Sequence, residues 1–139
     1  MRWPWHKKQK AHHLAAGEWG EAMAVKELKE RGYSILGKRV RVGRRDELDV
    51  IARDGEVLVF VEVKTRRSVD YGRPVQAVHR KKRSCLSRAA VRYMGKLSER
   101  PSYFRFDVVE VVGQEGDKRP LVNVVQNAFT LDRRYRVRW

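Results

Sequence analysis

Between Val57 and Lys64 the chain reads Val-Leu-Val-Phe-Val-Glu-Val-Lys. Five consecutive apolar residues, β-branched and aromatic among them, predict a strand buried on both faces. Glu62 and Lys64 then interrupt the run, and residues two apart on a strand project from one face. A carboxylate and an ammonium therefore emerge side by side where a core strand ends. Buried charges are costly unless they are paired or bound to a metal. The stretch alone leaves two readings open. The strand has simply reached solvent and carries a weak surface ion pair, or a metal ligand stands beside a catalytic lysine.

The neighbouring sequence bears on the choice. Asp54-Gly55 is a short hairpin signal that joins Val57–Lys64, antiparallel, to a strand predicted over Glu47–Arg53. In that strand Leu48 and Val50 are expected on one face, Asp49 and Ile51 on the other. The hairpin brings Asp49 and Glu62 into one neighbourhood at its open end. Their repulsion then requires a cation, or one carboxylate must hold its proton more tightly.

A helix is predicted over Leu14–Arg31, with Leu14, Glu21, Val25 and Leu28 on one stripe and Gly32 as its C-cap. Glu21 is the carboxylate on that apolar stripe. It either lies at the stripe's edge and reaches water or points across the core edge toward the strand ends. Tyr33–Val42 alternates as a strand with a basic, wet face. A charged loop is expected at 65–77, then a helix over Val78–Lys96 with Leu86, Ala89, Ala90, Tyr93 and Met94 as its apolar stripe. Its first turns carry Arg80, Lys81, Lys82 and Arg83, against the helix dipole, and a phosphate backbone is the natural reason to keep them there. Tyr103–Val112 reads as a further strand and Leu121–Gln126 as a short last one.

These elements predict one α/β domain over 14–130, a mixed β-sheet flanked by helices in the order αβββαβ with a small addition. A flexible basic arm is expected over 1–13, where Pro4 opposes regular structure and His6, His12 and His13 lack any carboxylate or cysteine partner. A basic tail is expected over 131–139. The 139 residues carry 32 Lys and Arg against 17 Asp and Glu, a net charge of +15 that favours a polyanionic partner, most simply nucleic acid. An acidic membrane surface or an acidic protein would also answer to charge alone. The single Cys85 excludes an internal disulfide and a cysteine-based zinc site and fits a reducing, cytoplasmic setting. The longest apolar run, Val57–Val61, is too short to span a membrane.

By pattern, then, Glu21, Asp49, Glu62 and Lys64 converge. Hard cations such as Mg²⁺ or Mn²⁺ bind carboxylate oxygens and polarise phosphodiesters, and a nearby lysine stabilises developing negative charge. Asp49 followed by Glu62-Val63-Lys64 at the end of the next strand resembles the signature of the PD-(D/E)xK nuclease superfamily, and the element order resembles its restriction-endonuclease-like core. Gly17-Glu18-x-Gly20-Glu21, Glu47–Ala52, Val59–Arg66, Arg105–Val109 and Asn127-Ala128-Phe129 more closely resemble the YraN-like family, similar to archaeal Holliday junction resolvases. The resemblance spans about residues 14–130. It implies Asp49, Glu62 and the Val63 carbonyl as metal ligands, Glu21 as a helix-borne acid reaching the metal directly or through water, and Lys64 as the residue that positions the attacking water. Lys82 would touch phosphate, with Arg66, Arg80, Lys81 and Arg83 also toward DNA. Two positions depart from the pattern: Leu48 stands where the superfamily's proline would be, and Asp46 where the family usually has glycine. The expected activity is metal-dependent cleavage of DNA, including branched DNA, by a single chain or a homodimer. The alternatives are a nucleic-acid-binding protein that kept the fold without activity, and a basic structural partner of a ribonucleoprotein.

Overall fold

A computed structural model describes residues 4–67 and 78–137, with side chains from Gly17 onward. The elements are α1 (Pro4–Glu30), β1 (Ser34–Val42), β2 (Asp46–Asp54), β3 (Val57–Arg66), α2 (Arg80–Gly95), β4 (Tyr103–Val112) and β5 (Leu121–Phe129). The five strands form one sheet in sequence order. Only β3 and β4 run parallel; the other neighbours are antiparallel. A parallel pair cannot be closed by a tight turn, and α2 lies in the connection between β3 and β4.

Alternation along the strands divides the core into two layers. Leu58, Phe60, Phe106 and Val108 face Leu86, Ala89, Ala90 and Met94 of α2. Val59, Val61, Val109 and Val111 face Ala24, Val25 and Leu28 of α1. With a helix on each face, β3 is apolar on both sides, as its unbroken hydrophobic run predicted. Beneath α2, Phe106 stacks on Phe129 at 4.7 Å and meets Phe60 at 5.7 Å between ring centroids.

The mixed α/β sheet flanked by helices is the expected fold, and its differences from expectation have local causes. α1 begins at Pro4, so residues 4–13, expected as an arm, continue the helix. Proline costs little there, because the first-turn N–H has no intrahelical acceptor in any case. β5 runs on to Phe129, past a register shift opposite Asp107. That carboxylate accepts the freed Asn127 N–H at 2.9 Å, and Asn127 turns to φ 51°. The expected basic tail packs on the domain over its described residues, with Leu131 and Val137 against the α2-side core. Most of the expected loop at 65–77 lies outside the described residues. No helix among the described residues is long and apolar enough to cross a membrane.

Candidate metal and phosphodiester site

The turn is Gly55-Glu56, one residue past the expected Asp54-Gly55, and it sets the β2–β3 register from Asp54↔Val57 to Val50↔Val61, where the ladder stops. One step further the same register sets Asp49 opposite Glu62. The two strands have parted at that point. The Val63 amide, which would otherwise continue the ladder, donates to Asp49 Oδ2 at 2.9 Å. A side chain thus replaces a backbone acceptor and draws a carboxylate into the split between strands. The face alternation expected for β2 breaks at the same residue: Leu48 packs with Ile51 on the α2 side, while Val50 packs with Ala52 on the α1 side. On the facing strand Arg39 adopts φ 49°, a left-handed conformation that a non-glycine residue rarely takes. Periodicity could not have shown this, because it assumes an unbroken pleat.

Glu62 is 5% exposed. Its Oε1 receives Lys64 Nζ at 3.4 Å and Lys82 Nζ at 3.8 Å. Its Oε2 is buried and receives no hydrogen bond from a fixed donor among the described residues, so a proton held by Asp49 or a cation is what can satisfy this carboxylate. Burial, and next the Glu62 charge, push the Asp49 carboxyl up to about 7. The buried Glu62 and half-buried Asp49 carboxylates and the adjoining Val63 backbone make an oxygen-rich donor set of the kind that hard divalent cations select. An orphaned buried carboxylate oxygen is expensive, and a cation there removes that cost, so these residues fit such a group.

Sequence reasoning brought Glu21, Asp49, Glu62 and Lys64 to one place; the structure brings Asp49, Glu62 and Lys64 together and adds Lys82 of α2. Glu21 stands apart from them. Its Oε2 accepts Arg39 Nε at 2.6 Å, and Glu18 shares the same guanidinium at 3.4 Å. Among the described residues no three His, Cys, Asp or Glu side chains are grouped closely enough to hold a metal. The expected three-acid cluster is therefore a pair, with the third acid held by an arginine that left-handed backbone presents. Gly20, beside Glu21, has a clear packing role: a Cβ there would overlap Thr65 Oγ1, so glycine lets α1 lie directly on the end of β3.

The basic residues divide by use. Arg80, Lys81 and Lys82 are exposed on the first turn of α2. Arg83 donates to the Val78 carbonyl at 2.9 Å and lies over the Phe129 ring. Arg66 is mostly buried against Glu110, 3.2 Å away.

Three acids outside the expected site prove to be buried. Glu110 pairs in register with Lys64, which puts it on the same face of the sheet as Glu62 and Lys64. The signal was a lone charge in the apolar run Val108-Val109-Glu110-Val111-Val112. Asp46 is clamped by Arg88 of α2 through two bonds of 2.8 and 2.7 Å, which hold it below the usual carboxylate range. The departure from glycine there thus ties the start of β2 to α2. Asp107 accepts from Tyr33, Arg105 and Asn127, and Arg105 reaches on to Asp54. That network is fully bonded and welds β4 to β5 and to the β2–β3 hairpin.

Residues 20–111 match the model of "Uncharacterised protein family UPF0102", a stretch running from Gly20 through the carboxylate pair to β4. UPF0102 protein STH1475 of Symbiobacterium thermophilum is 48% identical over 114 residues, covering 81% of this chain and 94% of its own length. A UPF0102 protein of Caldicellulosiruptor saccharolyticus is 40% identical over 113 residues, with 81% and 95% covered. One from Rhodococcus opacus is 41% identical over 119 residues, with 86% and 99% covered.

Proposed function

The chain belongs to the uncharacterised protein family UPF0102, a membership that names no reaction, and we propose from the site itself that it is a metal-dependent endonuclease acting on DNA, of the PD-(D/E)xK kind. The observation that carries this reading is the buried Glu62 Oε2, which no fixed donor among the described residues reaches, beside the Asp49 carboxylate, with Lys64 on the same strand end. Asp49, Glu62 and the Val63 carbonyl hold Mg²⁺ or Mn²⁺, which when bound supplies Lewis acidity and a water of lowered pKa. Lys64 orients the attacking water and stabilises negative charge growing on the phosphate oxygens. Lys82, on the first turn of α2, takes a phosphate oxygen in place of Glu62. On the likeness to junction resolvases, branched DNA is the substrate to try first.

A second reading, a DNA-binding protein that has kept the fold without turnover, draws on one observation. Glu21 is engaged by Arg39 rather than turned to the carboxylate pair. Cleavage over duplex, flap, fork and four-way junction DNA, with Mg²⁺ and with Mn²⁺, separates the two. The nuclease reading expects strand scission that EDTA stops and Asp49→Ala loses. Salt-sensitive binding with no scission under either metal puts the binding protein in its place.

A further inference from the structure

On the side of α2 away from the sheet, its first turns and segment 130–135 form the walls of an open groove of about 960 Å³. Six cationic side chains line it, Arg80, Lys81, Arg83 and Arg88 from α2, with Arg133 and Arg134 opposite, against the single carboxylate of Asp132. The second wall is built, not draped. The Asp132 amide donates to Ser87 Oγ at 2.9 Å and Arg134 donates to Ser84 Oγ at 2.9 Å, and both serines are buried. This wall lies beyond the residues that match the family model.

Internal partners account for part of the charge. Arg88 is taken by Asp46, Arg83 by the Val78 carbonyl and the Phe129 ring, and Arg134 by Asp132. Arg80, Lys81 and Arg133 are exposed and form no ion pair with any described residue. Two of them stand on one wall and one on the other. Gathering like charges without counter-charge, at a helix end that disfavours cations, is unfavourable unless an anion fills the space. The groove is open and its cations are spread over two walls, which suits a polymer of phosphates better than a lone ion. It also adjoins the proposed site. Lys82, next to Lys81 in sequence, reaches Glu62 at 3.8 Å, so the first turn of α2 stands between the carboxylate pair and the groove.

We propose that this groove is a track for the sugar–phosphate backbone of a duplex DNA arm, continuing from the carboxylate site around the first turn of α2. The proposal rests on the nuclease reading and adds a second contact region that a branched substrate would use. The contacts are ionic, so the track reads charge and not sequence.

The test is fluorescence anisotropy of a labelled DNA duplex in EDTA across a salt series, with the full chain. Arg80→Ala/Arg133→Ala is compared with Lys26→Ala/Lys29→Ala, which removes the same charge from exposed positions on α1 at the opposite face of the sheet. The groove pair is expected to weaken binding roughly tenfold and to flatten the log–log salt slope by about 1.8, at about 0.9 per phosphate contact. The α1 pair leaves the slope unchanged. Equal effects from the two pairs overturn the groove while leaving the carboxylate site standing. Absence of salt-dependent binding by wild type overturns both. Arg133→Ala alone, on an exposed side chain, carries the comparison at half the expected slope change if the double variant does not fold.

Discussion

At the residue scale the site is a balance between two carboxylates and the groups around them. Asp49 has a folded-state pKa of about 7 against an ordinary 3.8, raised first by burial and then by Glu62. The folded protein therefore binds that proton more tightly than the unfolded chain does. Its stabilising contribution is complete below pH 3.8 and is lost as pH rises through about 7. Asp49→Asn removes the titration while still accepting from the Val63 amide. In metal-free buffer, thermal melts are expected to show the Asp49→Asn variant gaining stability relative to wild type as pH rises from about 5 to about 8; a constant gap would contradict the buried-acid assignment. Metal reverses the sign, since it competes with the proton. Mn²⁺ affinity by calorimetry is expected to be roughly tenfold weaker at about pH 6 than at about pH 8. Glu21, held by Arg39, is expected to matter less: Glu21→Gln keeps more cleavage than Asp49→Asn, and equal loss would return Glu21 to the metal.

At the element scale the site depends on where β2 and β3 part and on α1 lying close against β3. Gly20 permits that approach, because a methyl there would run into Thr65 Oγ1. Gly20→Ala is expected to cost about 1–3 kcal/mol in urea denaturation, as overpacking does. Thr65→Ala in the same chain is expected to recover part of it, and strict additivity would show that the two do not meet. Much of this geometry was legible beforehand. The Asp54-Gly55 signal located the hairpin and brought Asp49 within a few residues of Glu62; the turn falls one residue later, at Gly55-Glu56, and that register sets the two opposite. The run from Val57 to Val61 marked a strand with a helix on each face. What periodicity missed are its own exceptions: the broken pleat at Asp49, the left-handed Arg39 that captures Glu21, and the shift where Asp107 takes the Asn127 amide. Glu110 escaped notice because its ion partner, Arg66, comes from a different strand. The docking of segment 131–137 escaped because its hydrogen bonds end on two serines of α2 that read as ordinary helix positions.

At the scale of the whole molecule two roles are separable. On the proposed function, binding to DNA would draw on the chain's excess of basic residues, a net charge of +15, so it is expected to fall steeply with salt and to be nearly indifferent to sequence. The proposed catalysis would draw on one strand end. Lys64 shares that end with Glu62, 3.4 Å away, and is one of 32 basic residues. Its removal is a small change to the field that attracts DNA and a large one to the chemistry, on the order of 3 kcal/mol by comparison with single oxyanion donors. Lys64→Arg is expected to rescue poorly, since a planar guanidinium does not replace a compact ammonium. The most direct measurement is therefore cleavage and gel-shift affinity, on the same junction and duplex substrates with Mg²⁺ and Mn²⁺, for wild type and Lys64→Ala. The account predicts that wild type cuts, that Lys64→Ala binds almost as well, and that its cutting falls at least about a hundredfold. Equal cleavage by the two proteins, or none by wild type with either metal, would contradict it.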